Sequence, residues 1–466
     1  MDELDETPAA PPVAADGLPP ARRRWAVTTL VIAVGMATLD TAIANTALPT
    51  IAADLNASPA ASIWVVNAYQ LALMVSLLPL ASLGDILGYR RIYIAGLAVF
   101  TLASLVCAAS WSLPTLAAAR VFQGFGASGI MSVNTALIRF IYPSRSLGRG
   151  VGFNALVVAV SFAIGPTVAS AILSVASWQW LFAVNVPLGL FAIALAIPAL
   201  PHSDRATYRF DIASAVLNAG TFGLLIVAIG EAGHQASPTS IVAEFLGAGL
   251  FGLFLLRRQA AHPAPMLPVD LFRRPVFALS AVTAVCSFAA QGLAFVSLPF
   301  YFQGALGRTQ VETGLLMTPW PVVVAIVVPI AGRMSDRYSP AILGGFGLAM
   351  LCLGMALLAL LPVHPTVLDI GWRMAICGFG FGFFQSPNLK ALMASAPPGR
   401  SGGASGIVAT ARLLGQSTGA ALVALCFGLS STQGAALALA LGAGFAGAAS
   451  IASFLRLVPS EPVPTR

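Results

Sequence analysis

Two charged residues in this chain stand where water is scarce. Asp40 is sixteenth from Trp25 in an apolar run of about 25 to 48, and Arg120 lies in another of about 113 to 138. Coiled as helices, both runs can cross a hydrocarbon layer about 30 Å thick, which puts Asp40 about two-thirds of the way across. A charge at such depth needs a partner or a wet cavity. No other acidic residue lies deep within the repeated spans described below, so Asp40 is the expected partner of Arg120. A carboxylate there keeps its charge only while a cation offsets its desolvation. If cargo competes for that site, proton and cargo exclude one another, and such exclusion is a coupling device. A permanent structural ion pair is the other reading of the same two residues.

Further polar residues in the apolar runs, Asn45, Gln123, Asn134, Gln291, Gln385, Asn388 and Arg412, are candidates to line a substrate cavity. Arg412, about ten residues into its run, either faces an anionic group or pairs with backbone carbonyls. Enzyme chemistry finds little to work with. His202, His234, His262 and His364 all fall between the runs, and there is no Ser/His/Asp arrangement, no phosphate-binding Gly-rich loop followed by Lys and no metal cluster. Neither cofactor nor metal is expected, and ATP is not the expected driver.

The elements that must position these residues follow from bulk chemistry. Of 466 residues, 58% are hydrophobic and only 9% charged, where a soluble domain carries about 25% charged residues. Apolar runs recur along nearly the whole chain without the alternation of a transmembrane β-barrel, which leaves helices. We place fourteen, near 25–48, 63–83, 91–110, 113–138, 149–175, 178–200, 212–231, 240–257, 276–303, 311–332, 340–362, 368–394, 402–428 and 433–455. With that count, twenty of the 24 basic residues fall on one side of the membrane. The bias predicts cytoplasmic termini, and omitting any helix would spoil it. The net charge of +7 is scattered in twos and threes rather than in a stripe, which argues against nucleic acid. Five cysteines inside apolar runs read as packing residues. Residues 1–24, acidic and Pro/Ala-rich at their start, read as a disordered tail without a secretory signal, and 456–466 as a second tail.

An internal repeat organises the spans. A shift of 254 residues aligns Gly124 with Gly378, Gly126 with Gly380, Asn134 with Asn388, Pro143 with Pro397, Gly152 with Gly406 and Gly165 with Gly419. Nearer the start of each copy a shift of 251 sets Asp85 on Asp336 and Asp40 on Gln291. The expectation is a six-helix bundle over 25–200, a second over 276–455, and an inserted two-helix hairpin with its linkers over 201–275. Repeats of this kind place a substrate site at their mutual interface near the midplane.

Four stretches resemble the Major Facilitator Superfamily, and within it the drug:proton antiporters with fourteen spans. LASLGDILGYRR at 80–91 is similar to the G-x-L-x-D-R-x-G-R-R loop, keeping Asp85, Gly88, Arg90 and Arg91 but with Ala81 and Ile86 in place of Gly and Arg; a weaker copy keeps Asp336 and Arg337. RVFQG supplies Arg120, Gln123 and Gly124 of the R-x-x-Q-G motif. SFAIGPTVASAI resembles the antiporter G-x-x-x-G-P-x-x-G-G motif at Gly165 and Pro166, and SWQWLFAVNVPLGL the W-R-W-x-F-x-x-N-x-P-x-G stretch of this branch. The resemblance implies a cytoplasmic gate at the first motif and a share in proton transfer for Arg120. It also implies an exporter, in a bacterial inner membrane, that trades protons for small drugs or toxic compounds as a monomer. Export of one metabolite or organic anion, or import by symport, are the alternatives.

Overall fold

Long apolar segments that must satisfy their own backbone in lipid become helices. In a computed structural model, which describes residues 16–457 except 204, 208, 233–236, 262–268, 396–400 and 431, fourteen helices are long and apolar enough to cross a membrane. They are α1 (Pro20–Asp54), α2 (Pro59–Leu87), α3 (Tyr89–Ala108), α4 (Leu113–Ile141), α5 (Arg149–Leu173), α6 (Trp180–Ala199) and α7 (Ile212–Ala232). The others are α8 (Pro238–Ala260), α9 (Pro275–Ala305), α10 (Gln310–Met334), α11 (Pro340–Ala359), α12 (Val367–Ser395), α13 (Gly406–Leu429) and α14 (Gly434–Leu455). The parts of the expected tails at 1–15 and 458–466, and His234, His262, Pro397 and Arg400, lie outside the described residues.

The first helix begins earlier than expected, at Pro20 instead of Trp25, so residues 20–24 are not a disordered tail. Pro suits a first helical turn, where its missing N–H has no acceptor to lose. Arg22 Nε donates to Ala199 O at 3.1 Å, and the Asp16 carboxylate accepts from Ser144 N at 2.9 Å, so the entry segment is tied to the ends of α6 and α4. Elsewhere local chemistry sets the ends plainly. Ser112 and Thr115 form a capping box at the start of α4, as Thr309 and Glu312 do at α10.

Within each half the helices pack through small residues, and the repeat is visible in the contacts. A Cβ on Gly124 would lie 2.4 Å from Tyr69 O, and one on its counterpart Gly378 would lie 2.3 Å from Trp320 O. Gly126 and Gly380 face the backbone of Phe100 and Leu351 in the same way. Close backbone approach of this kind is how helices associate where lipid offers no hydrophobic drive.

The pair α7–α8 lies outside this pattern. α7 packs against α2 of the first half and α13 of the second, while α8 packs chiefly on α7. Asn218 Nδ2 donates to Val75 O at 2.9 Å, which fastens α7 to α2. At the hairpin's base Arg258 Nη2 bonds Asp211 Oδ1 at 2.9 Å and holds that carboxyl well below the usual carboxylate range.

Replacing Gly124 or Gly378 with Val should lower the melting temperature of the purified protein by several degrees, since overpacking costs about 1–3 kcal/mol. Gly152→Val, with nothing within 4 Å of the new Cβ, should leave it unchanged. Thermal unfolding in detergent followed by tryptophan fluorescence separates the two classes.

Candidate functional site

The deepest polar cluster is built by α1, α4 and α6. Arg120 and Gln123 are one turn apart on α4 and so share a face. Arg120 Nη1 bonds both Asp40 Oδ2 and, at 2.6 Å, Gln123 Oε1. The second carboxylate oxygen, Asp40 Oδ1, accepts from Gln123 Nε2 at 2.9 Å and from Asn185 Nδ2 at 3.0 Å. Arg120 Nε donates to Val65 O at 2.9 Å, and its guanidinium carbon lies 4.1 Å from the centre of the Tyr69 ring. The Tyr69 hydroxyl in turn donates to Ala37 O at 3.2 Å, one turn from Asp40 on α1. Arg120 is 0% exposed and Asp40 2%. The carboxyl is therefore behind the wall of the interface between the halves, not on it, and cargo cannot touch it in this state.

The wall itself carries neutral polar groups. A cleft between the halves is lined by Thr41, Asn45, Gln70, Phe162, Gln291 and Gln416 among others and holds about 10 Å³ of space, close to what one water needs. Gln416 Nε2 donates to Gln291 Oε1 at 3.3 Å, while the buried Asn45 Oδ1 has no hydrogen-bond partner. Arg412 is half-buried on α13, one turn from Gln416.

On the face away from the two termini the halves are joined. Toward that face Ser170 Oγ donates to Gln310 O at 3.0 Å and the Thr167 and Thr318 hydroxyls are 3.1 Å apart, while deeper, near mid-span, Ser417 Oγ donates to Gln70 Oε1 at 3.3 Å. The stretch that begins with Gly165 and Pro166 makes much of this seam. A Cβ on Gly165 would meet that of Ala42 at 2.3 Å, and one on Gly314 would meet Pro166 O at 2.5 Å, so α5 is pressed between α1 and α10.

On the terminal face, Gly88 adopts φ +96°, a conformation that favours glycine, and lets the chain turn sharply from α2 into α3. Asp85 Oδ1 accepts from the Tyr89 hydroxyl at 2.7 Å, and Arg90 Nη1 is 2.5 Å from His202 Nε2. Arg91 is exposed. The matching loop of the second half pairs Asp336 with Lys390 at 2.6 Å and exposes Arg337.

The Major Facilitator Superfamily model matches residues 30–420. The chain belongs to that superfamily. It is 56% identical to the uncharacterized transporter YebQ of Escherichia coli (strain K12), over 96% of this chain and 98% of that protein. It is 30% identical to the riboflavin transporter RibZ of Clostridioides difficile (strain 630), over 88% and 90% of the two chains. It is 31% identical to the multidrug resistance protein Stp of Mycobacterium tuberculosis (strain CDC 1551 / Oshkosh), over 83% and 72%. A solved transporter of the POT family in complex with 5-aminolevulinic acid superposes with a TM-score of 0.69 at 14% identity, covering 93% of this chain and 95% of that one. The protein is thus a multi-pass membrane transporter of this superfamily.

Of the residues singled out in the sequence of this Major Facilitator transporter, Asp40, Arg120 and Gln123 form one network, and Asn45 and Gln291 reach the cleft. Gln123 is consumed by Asp40, Arg120 and Ser104, whose Oγ accepts from Gln123 Nε2 at 2.9 Å, so it does not line the cavity. Asn134 donates to Asn154 at 2.9 Å, and Asn388 donates to Ser280 O and accepts from Arg456 at 2.9 Å; both serve helix packing away from the cleft. Gln385 is half-buried on α12, one turn from Phe381. Sequence reasoning passed over Thr41, Gln70, Gln416 and Asn185. Asn185 could have been found, since it is the Asn of the W-x-W-x-F-x-x-N stretch.

At the positions matching Asp40 and Arg120 the second half carries Gln291 and a fully buried Met374. Asp40→Gln and Arg120→Met should each cost about 3–5 kcal/mol of stability by leaving one buried group unpaired. The double variant, which copies the second half, should recover most of that loss in denaturant titrations.

Proposed function

We propose that this transporter is a proton-coupled exporter of small molecules, working by alternating access with both termini in the cytoplasm of a bacterial inner membrane. The observation that carries the reading is the Asp40–Arg120 pair sealed inside α1, α4 and α6 and yet linked to the interface between the halves. Arg120 holds Val65 O and the Tyr69 ring on α2, and Gln70, the next residue, bonds Ser417 of the second half. When Asp40 takes a proton, Arg120 loses its counter-charge, and the bonds it makes to α2 are redistributed. That strain reaches the mid-span contact between the halves, beneath the seam that closes the far face. Coupling is then mechanical: the proton acts on the helix that carries the cleft wall, not by displacing cargo from the carboxylate.

The seam on the far face, the antiporter-like stretch around Gly165 and Pro166, and the drug-resistance relative all support outward transport. The riboflavin transporter among the relatives makes a flat aromatic solute a reasonable cargo shape. A membrane potential near 150 mV supplies about 3.5 kcal/mol per charge moved, enough for a gradient of about a few hundredfold.

Asp40→Asn should abolish proton-driven accumulation of substrate in inverted vesicles by about tenfold or more, while leaving counterflow exchange without a proton gradient. Full proton-driven uptake by that variant, at equal amounts of folded protein, would refute the role given to Asp40.

A further inference from the structure

We propose that Arg412 anchors an anionic group on the cargo, which makes the transported class small organic monoanions with an apolar body. The proposal rests on reading the cleft between the halves as the cargo site.

Arg412 is a half-buried guanidinium inside a spanning helix. It lies on α13 four residues from Gln416, hence on the same helical face, and Gln416 lines the cleft. Its neighbour Leu413 packs into the apolar cluster of α2 with Leu73 and Leu77, which turns the 412–416 ridge toward the first half.

What sets Arg412 apart is that nothing answers it. Among the described residues it makes no hydrogen bond and no ion pair, although a guanidinium inside a span is costly to leave alone. The acids are committed elsewhere. Asp40 is held by Arg120, Asp369 by Arg373, Asp336 by Lys390, and Glu312 caps α10 through Thr309. Glu231 and Glu244 are on the α7–α8 hairpin, interacting with each other. Nor does Arg120 offer an alternative, since it is 0% exposed. The α13 ridge that borders the cleft therefore carries, among the described residues, a half-buried positive charge that no side chain compensates. A planar fork of donors of that kind suits a carboxylate, sulfonate or phosphate monoester. In the cleft, Phe162 of one half and Phe295 of the other approach at 5.1 Å between ring centres, and they offer an apolar surface for the rest of the molecule.

Binding to the full chain in lipid nanodiscs tests this with three probes of one shape: naphthoate, naphthamide and naphthylmethylammonium. Naphthoate should bind about tenfold or more tightly than the other two, the worth of one charge-assisted contact. Arg412→Gln should erase that preference and leave naphthamide binding unchanged, and Arg412→Lys should keep part of it. Equal affinity for the three probes, no binding of any, or a preference that survives Arg412→Gln would overturn the proposal. If Arg412→Gln does not fold, loss of the preference in Arg412→Lys together with weakened naphthamide binding counts against it. Because binding needs no proton gradient, Asp40→Asn should retain the preference. Anion selectivity with proton-independent transport would sink the coupling scheme alone, and proton-driven transport without anion selectivity would sink this inference alone.

Discussion

An ion pair with almost no access to water organises the first half of the molecule. Asp40 and Arg120 are too deep to be solvated, so every lone pair and N–H they own must be met by protein, and most are. Gln123, Asn185 and Val65 O supply the contacts, and Tyr69 lends its ring face. Gln123 shares α4 with Arg120, Asn185 comes from α6, and Val65 and Tyr69 come from α2, so α1, α2, α4 and α6 are locked to one another through five side chains and one backbone carbonyl. One donor, Arg120 Nη2, is left without a partner. Both N–H groups of that nitrogen are unmet, so three of the five guanidinium donors hold the network together.

The second half shows what the same scaffold does without charge. Gln291 and Met374 replace the pair, and the packing glycines Gly378 and Gly380 keep the helices at the same close distance as Gly124 and Gly126. Shape has been kept in both copies while polarity has diverged. The first copy holds the charged network, and the second contributes Gln416 and Ser417 to the shared interface. Division of labour of this sort needs the halves to touch at the midplane, and the seam of Gln70 with Ser417 does that.

Much of this was legible in the residues. Hydropathy and the lopsided arginines give fourteen spans, and depth alone pairs Asp40 with Arg120. Burial was not legible, because helical rotation decides whether a polar side chain looks into its own bundle or toward the facing one. Gln123 and Asn45 are equally polar and equally deep, yet one is consumed by Asp40 and the other opens on the cleft. Asn134 and Asn388 match in the repeat, and that match reflects helix packing instead of cargo. Gln70 and Gln416 belong to none of the quoted motifs, and only their contacts across the interface single them out. The start of α1 was missed for a different reason: Arg22 to Arg24 read as a solvated tail until Ala199 O appears as an acceptor.

The added hairpin has a bearing on how molecules arrive. Since α7 lies over the line where α2 meets α13, a solute dissolved in the bilayer finds that flank covered by an extra layer of helix. The opposite flank, where α5 meets α10, has no such cover in the packing described here. The two flanks of the contact between the halves are therefore unequal: one is faced by protein, and the other, held shut by its own close packing, meets the bilayer directly.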